Sequence, residues 1–165
     1  MIRLSNYQFK SPILVASGTY GYGDEVIDLV DVNSIGGIVT KSITLHPREG
    51  NPPPRIAETS SGMLNSIGLA NLGVEQYIKD KIPQLNKLNT NIIINIAGSM
   101  LDDYLYTLEK LEKIESNHIG YEINISCPNV KEGGMEFGVN PKITEKLTKE
   151  MKAITNKLII MKLSP

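Results

Sequence analysis

The sequence predicts an α/β fold built on a parallel sheet with both faces covered. Three observations carry this expectation. Five short segments rich in Ile and Val recur along the chain, stretches of helical period lie between them, and the apolar segments run nearly unbroken rather than alternating with polar residues. Strands alternating with helices are built from right-handed βαβ units. With 165 residues, 41% of them hydrophobic, the chain is long enough for one domain with a substantial core.

The elements follow in order. Pro12–Ala16 reads as the first strand and exits into Ser17-Gly-Thr-Tyr-Gly-Tyr-Gly23, where small residues let backbone approach a flat or phosphorylated ligand, although a plain glycine-rich turn serves equally well. Gly23–Val30 reads as helical. Gly37–Thr40 is the second strand, followed by a long connection, Lys41–Gly73, and a helix over Val74–Lys87. Asn91–Ile96 is the third strand and Leu101–Ile114 the next helix. The fourth strand, Tyr121–Ser126, alternates Ile123 and Ile125 with Asn124 and Ser126, and Pro128 stops it. After a second long connection, Cys127–Asn140, the Asn140-Pro141 pair marks a helix entry. Pro141–Thr155 then carries an apolar stripe of Ile143, Leu147, Met151 and Ile154, and Lys157–Leu163 is the fifth strand. Both long connections follow a strand's carboxyl end, which is where a site built on one face of the sheet would lie.

Charge and composition exclude several classes of function. Seventeen basic and eighteen acidic residues are interspersed for a net charge of −1, so no electrostatic footprint for nucleic acid or an anionic membrane is present. One cysteine cannot form an internal disulfide. His46 and His118 stand outside any metal-ligand spacing, so no metal site is expected and both read as surface residues. The amino terminus has no apolar signal region and no run is long enough to span a bilayer, so a cytoplasmic protein is expected.

Several residues could carry chemistry. Cys127 follows the fourth strand with Asn124 and Asn129 flanking it, although a lone cysteine is more often a buried structural thiol. Lys131-Glu-Gly-Gly-Met-Glu-Phe-Gly138 has the makings of a mobile lid. Lys41 at the second strand's exit could offset negative charge on a ligand, or be a solvated lysine. Gly62–Asn71 mixes apolar side chains with amides, suiting a planar polar ligand or an ordinary crossover. Asn95 and Lys162 are polar groups inside apolar strands and need partners: backbone or cofactor for Asn95, an anionic or carbonyl-rich ligand or a neighbouring carboxylate for Lys162.

Read together, these residues resemble the class 1 (cytosolic) dihydroorotate dehydrogenases. The pieces that carry the resemblance are Thr40-Lys-Ser-Ile-Thr44, Pro47-Arg-Glu-Gly-Asn-Pro-Pro-Pro-Arg55, Leu64-Asn-Ser-Ile-Gly-Leu69 and Asn124-Ile-Ser-Cys-Pro-Asn-Val130. The cysteine points to class 1, and the segments 50–55 and 131–138 look like subtype 1B. The resemblance implies a (β/α)8 TIM barrel with flavin mononucleotide (FMN) at its carboxyl-terminal mouth. Such barrels typically run to about 250 residues. Residues 1–165 are therefore expected to be the amino-terminal part of a single flavin-binding domain, with about five of eight strands and the rest absent.

By the same resemblance, Ser17, Lys41, Ser42, Asn95, Asn124 and Lys162 would contact FMN. Lys41, Asn65, Ser66, Ile67, Gly68, Leu69, Asn124 and Asn129 would surround dihydroorotate, and Cys127 would be the catalytic base. The implied reaction oxidises dihydroorotate to orotate in pyrimidine (UMP) biosynthesis. A subtype 1B enzyme passes electrons to NAD through a partner subunit carrying FAD and an iron–sulfur cluster, in a homodimer or heterotetramer. The residue types suit this chemistry: a thiol with a pKa of about 8.5 is a usable base for the C5 proton, and asparagines offer both donors and acceptors to a dihydropyrimidine edge. The alternatives are a dihydropyrimidine dehydrogenase-like flavin enzyme, a Schiff-base lyase using Lys162, and an inactive barrel fragment.

Overall fold

The computed structural model describes residues 2–25, 27–126 and 137–164. In chain order the elements are β1 (Ile2–Leu4), β2 (Tyr7–Phe9), β3 (Leu14–Val15), β4 (Gly37–Val39), β5 (Ile56–Thr59), β6 (Gly62–Asn65), α1 (Gly73–Asp80) and α2 (Ile82–Leu85). They continue with β7 (Asn91–Ala97), α3 (Leu101–Glu112), β8 (Gly120–Asn124), α4 (Pro141–Ile154) and β9 (Leu158–Lys162).

The apolar runs pair as neighbours in the order in which the chain presents them. The main sheet is β3-β4-β7-β8-β9, parallel throughout. A doubly wound sheet reverses its direction of growth at a switch point. This sheet grows one way only, which is how a (β/α)8 barrel is wound.

Side-chain alternation divides the sheet into two environments. Ile92, Ile94 and Ile96 of β7, with Tyr121 and Ile123 of β8, are essentially inaccessible and pack against the helices, meeting Tyr77, Leu108, Leu111, Leu147 and Met151. Ile93 of β7 turns the other way, joining Val39 and the β2 residue Phe9, so the β1–β2 hairpin covers part of the inner face. Further along that inner face the residues become polar.

The helices form where the apolar stripe can be buried. In α4 the expected stripe packs inward, Leu147 and Met151 fully and Ile143 and Ile154 partly. The Asn140 side chain accepts hydrogen bonds from the amides of Lys142 and Ile143, capping the helix ahead of Pro141. In α3 the Asp103 carboxylate reaches back to the amides of Ser99 (2.8 Å) and Met100 (3.0 Å).

Some expectations are corrected. Gly23–Val30 is a series of turns, not a helix, over its described residues. Gly21 and Gly23 take positive φ, and the Glu25 carboxylate accepts from the amides of Tyr22 and Gly23, leaving Ile27 and Leu29 exposed rather than on a buried stripe. The helix over Val74–Lys87 breaks at Lys81 because Pro83 lacks the N–H an unbroken helix would need and its ring would meet the carbonyl four residues back. The Lys41–Gly73 connection contains the antiparallel β5–β6 hairpin. His118 is not a surface residue: it is 4% exposed, with Nε2 2.6 Å from the Tyr121 hydroxyl.

Candidate functional site

Four side chains from four different strand regions meet on the inner face of the sheet near its carboxyl end. Ser17 follows β3, Asn95 lies in β7, Glu122 in β8, and Lys162 ends β9. The parallel register sets Asn95 opposite Glu122 and Asn124 opposite Lys162. Asn95 Nδ2 donates to Ser17 Oγ (3.2 Å) and to Glu122 Oε1 (2.5 Å). Lys162 Nζ donates to Ser17 Oγ at 3.0 Å and lies 3.6 Å from Glu122 Oε1. Thus Lys162 is held within the chain by the Ser17 hydroxyl with the neighbouring carboxylate as its ion-pair partner, and an amine so engaged is placed as a binding charge rather than as a free nucleophile.

Asn95 is 0% exposed, and its backbone is fixed on both sides: its amide donates to Thr40 Oγ1 (3.3 Å) and its carbonyl accepts from the Ile43 amide (2.9 Å). Its side-chain carbonyl, Oδ1, is buried and has no partner among the described residues. An unpaired buried acceptor costs about 1–3 kcal/mol, so a ligand that brings an N–H to this atom recovers that cost.

Next to this cluster lies a second polar group. Asn124 Nδ2 donates to Ser42 Oγ at 3.5 Å, while Asn124 Oδ1 accepts from the Ser126 hydroxyl at 2.6 Å. Lys41 is half-buried; its amide donates to Gly21 O at 2.7 Å, and its ammonium has no partner among the described residues. Gly18, with φ of +89°, has nothing within 4 Å of where a side chain would stand, so the exit of β3 leaves open backbone beside Ser17.

The Asn65–Leu69 segment is shaped by a separate set of contacts. Ser66 N donates to Arg55 O at 2.8 Å, Asn51 Nδ2 to Ser66 O at 3.0 Å, and Asn51 N to Ile67 O at 3.2 Å. Gly68 has φ of +70°, and a Cβ there would stand 2.6 Å from the Asn51 amide. Asn71 closes the connection: its Oδ1 accepts from the amides of Thr44 (3.1 Å) and Gly73 (2.8 Å). With Asn71 Nδ2 donating to Leu69 O at 2.9 Å, these hydrogen bonds tie the segment to residues 51, 55 and 71 rather than to the inner-face cluster. Cys127 and Asn129, and all of the proposed lid but its end at 137–138, lie outside the described residues.

Sequence reasoning passed over Glu122. A signal existed, since Glu122 shares the phase of Asn124 in β8 and so had to face the same side.

The set of donors and acceptors fits a flavin. Its pyrimidine edge alternates carbonyl and N–H groups, and the inner face offers at Asn95 Oδ1 an acceptor without a partner among the described residues, with the Lys162 ammonium nearby as a donor and the Lys41 ammonium at the exit of β4 as another. No helix among the described residues is long and apolar enough to cross a membrane.

The fold and the face that carries these groups define an α/β protein of the TIM-barrel type, with a five-stranded parallel sheet among the described residues. In fold, the chain is similar to dihydroorotate dehydrogenase from Eimeria tenella, solved with ferulenol, at a TM-score of 0.72 and 17% identity, covering 95% of this chain and 50% of that one. The profile of the family described as dihydroorotate dehydrogenase matches residues 1–165, and the chain belongs to that family. Relatives include the catalytic subunits of dihydroorotate dehydrogenase B (NAD(+)) from Bacteroides thetaiotaomicron, 47% identical over 99% of this chain, and from Alkaliphilus oremlandii, 48% identical over 99%. The chain spans about half the length of these relatives, 54% in each case.

Proposed function

We propose that this chain is the amino-terminal part of an FMN-dependent dihydroorotate dehydrogenase, which oxidises dihydroorotate to orotate. The observation that carries the proposal is the buried, unpartnered Asn95 carbonyl among fixed donors on the inner face of a sheet that belongs to this family. Ser17, Lys41, Ser42, Asn95, Asn124 and Lys162 hold FMN. Bound there, the flavin supplies the acceptor for the hydride that leaves C6.

The chain's own residues do the rest. Asn124 and the Asn65–Leu69 segment hold the dihydropyrimidine ring through its alternating N–H and C=O edge, joined by Asn129. Lys41 would contact both ligands and offset the negative charge that develops. Cys127 would act as the base that takes the C5 proton. The names of the relatives include NAD(+) and a catalytic subunit. In line with those names we propose that electrons pass to NAD through a second subunit; the resemblance to subtype 1B adds FAD and an iron–sulfur cluster on that subunit and a cytoplasmic location to the proposal.

Two measurements on the full-length protein test the reading. It should purify with, or take up, FMN, and orotate should perturb the flavin spectrum while uracil leaves it unchanged. Cys127→Ser should keep the flavin but reduce it far more slowly with dihydroorotate in stopped flow at neutral pH, because a hydroxyl is a much weaker base. An unchanged rate removes Cys127 from the mechanism.

A further inference from the structure

We propose that Glu122 is a positioning residue of the cofactor site: its carboxylate sets the orientation of the Asn95 amide and the place of the Lys162 ammonium, and balances that ammonium's charge. The inference rests on the inner face being the flavin site. Glu122 stands on β8 between β7 and β9, so one carboxylate reaches groups on both neighbouring strands.

The proton count around it closes. Ser17 has one hydroxyl proton and gives it to Glu122 Oε1 at 3.2 Å. Its oxygen then accepts from Asn95 Nδ2 at 3.2 Å and from Lys162 Nζ at 3.0 Å. Both amide protons of Asn95 are thereby spent, on Ser17 and on Glu122. Turning that amide over would set its Oδ1 against Glu122 Oε1 with no proton between two acceptors, so an ionised Glu122 permits one orientation only. The carbonyl thereby turned away from Glu122 is the buried Oδ1 that has no partner among the described residues. Lys162, 3.6 Å from the same carboxylate, keeps a compensated charge in a partly buried place.

A glutamine at this position would offer either an oxygen or an N–H, and so would not choose between the two orientations of Asn95. It would also leave the charge of Lys162 unbalanced, and positive charge close to a flavin makes it easier to reduce. The experiment uses the full-length protein freed of flavin, as wild type, Glu122→Gln and Glu122→Asp. Each is titrated with FMN by fluorescence and then poised spectroelectrochemically to read the midpoint potential.

Glu122→Gln should bind FMN at least about tenfold more weakly, as expected when a charged hydrogen bond is lost, and its midpoint potential should rise. Glu122→Asp keeps the charge on a shorter arm, so it should restore the potential toward wild type while binding more weakly than wild type. If circular dichroism shows Glu122→Gln unfolded, Glu122→Asp decides alone, and wild-type affinity in that variant overturns the proposal. Wild-type affinity and potential in Glu122→Gln likewise overturn it, while the site reading stands. A wild-type protein that binds no FMN overturns the site reading and this inference with it.

Discussion

His118 sits behind β8 with its Nε2 2.6 Å from the Tyr121 hydroxyl, and that hydroxyl donates onward to Glu112, itself paired with Lys157 at 2.8 Å. Because the tyrosine proton is spent on Glu112, His118 must donate from Nε2, leaving Nδ1 as the bare nitrogen of a neutral ring. Nδ1 is buried with no partner among the described residues, so a proton added there finds no acceptor. Burial, with the Lys157 ammonium adding to it and Glu112 opposing, pushes the histidine pKa from 6.5 down to about 4.

The sign follows from which state binds the proton first. The unfolded chain takes it near pH 6.5 and the folded protein only near pH 4, so stability is fully present above pH 6.5 and is lost as the pH falls toward 4. At about 1.4 kcal/mol per pH unit, the loss across that window is roughly 3 kcal/mol. Urea denaturation of the full-length protein at intervals from pH 7 to 4.5 should show a falling midpoint at constant slope against urea. His118→Gln presents an amide N–H to Tyr121 without a titratable ring, and its stability should decline clearly less than wild type across the same range, keeping only the loss at its acid end from paired carboxylates such as Glu112 and Glu25. An equal decline in wild type and variant would refute the argument.

Three further outcomes are expected. Leu147→Ala empties a fully buried position between α4 and the sheet and should cost roughly 3 kcal/mol in urea denaturation. Lys81→Met removes the cation that Asp24 and Glu25 share at 2.9 and 3.0 Å and should cost about 1–3 kcal/mol. It should also speed hydrogen exchange at the Lys41 amide, which is bonded to Gly21 O in the loop so anchored; protection equal to wild type would separate that loop from the ion pair. Asn95→Asp would set a second carboxylate against Glu122 and should abolish flavin retention on purification.

The main sheet was legible because each strand is an apolar run bounded by turn chemistry, and α4 because its stripe and its Asn140-Pro141 entry agree. The short hairpins were less so. In β1–β2 the cue is only Ser5-Asn6 between two three-residue strands, with Ser5 at φ of 54°. In β5–β6 it is Ser60-Ser61 inside a segment whose residues stay exposed on both faces, so no apolar alternation marks the strands. Gly23–Val30 misled because its apolar residues look periodic, while the backbone is committed to turns by two glycines and by Glu25, whose partner Lys81 lies far along the chain.

By itself the sequence determined the alternation of strands and helices, the family, and which polar residues interrupt apolar strands, because hydrophobic period and turn chemistry are local properties of the chain. Only the tertiary structure decided what those polar residues meet. Ser17 and Lys162 are separated by 145 positions, yet they share a hydrogen bond because a parallel register and a common inner face bring four strand exits together. The same packing buried His118 and left one oxygen of Asn95 without a partner among the described residues, since burial and hydrogen-bond satisfaction depend on every neighbour at once and not on any one segment.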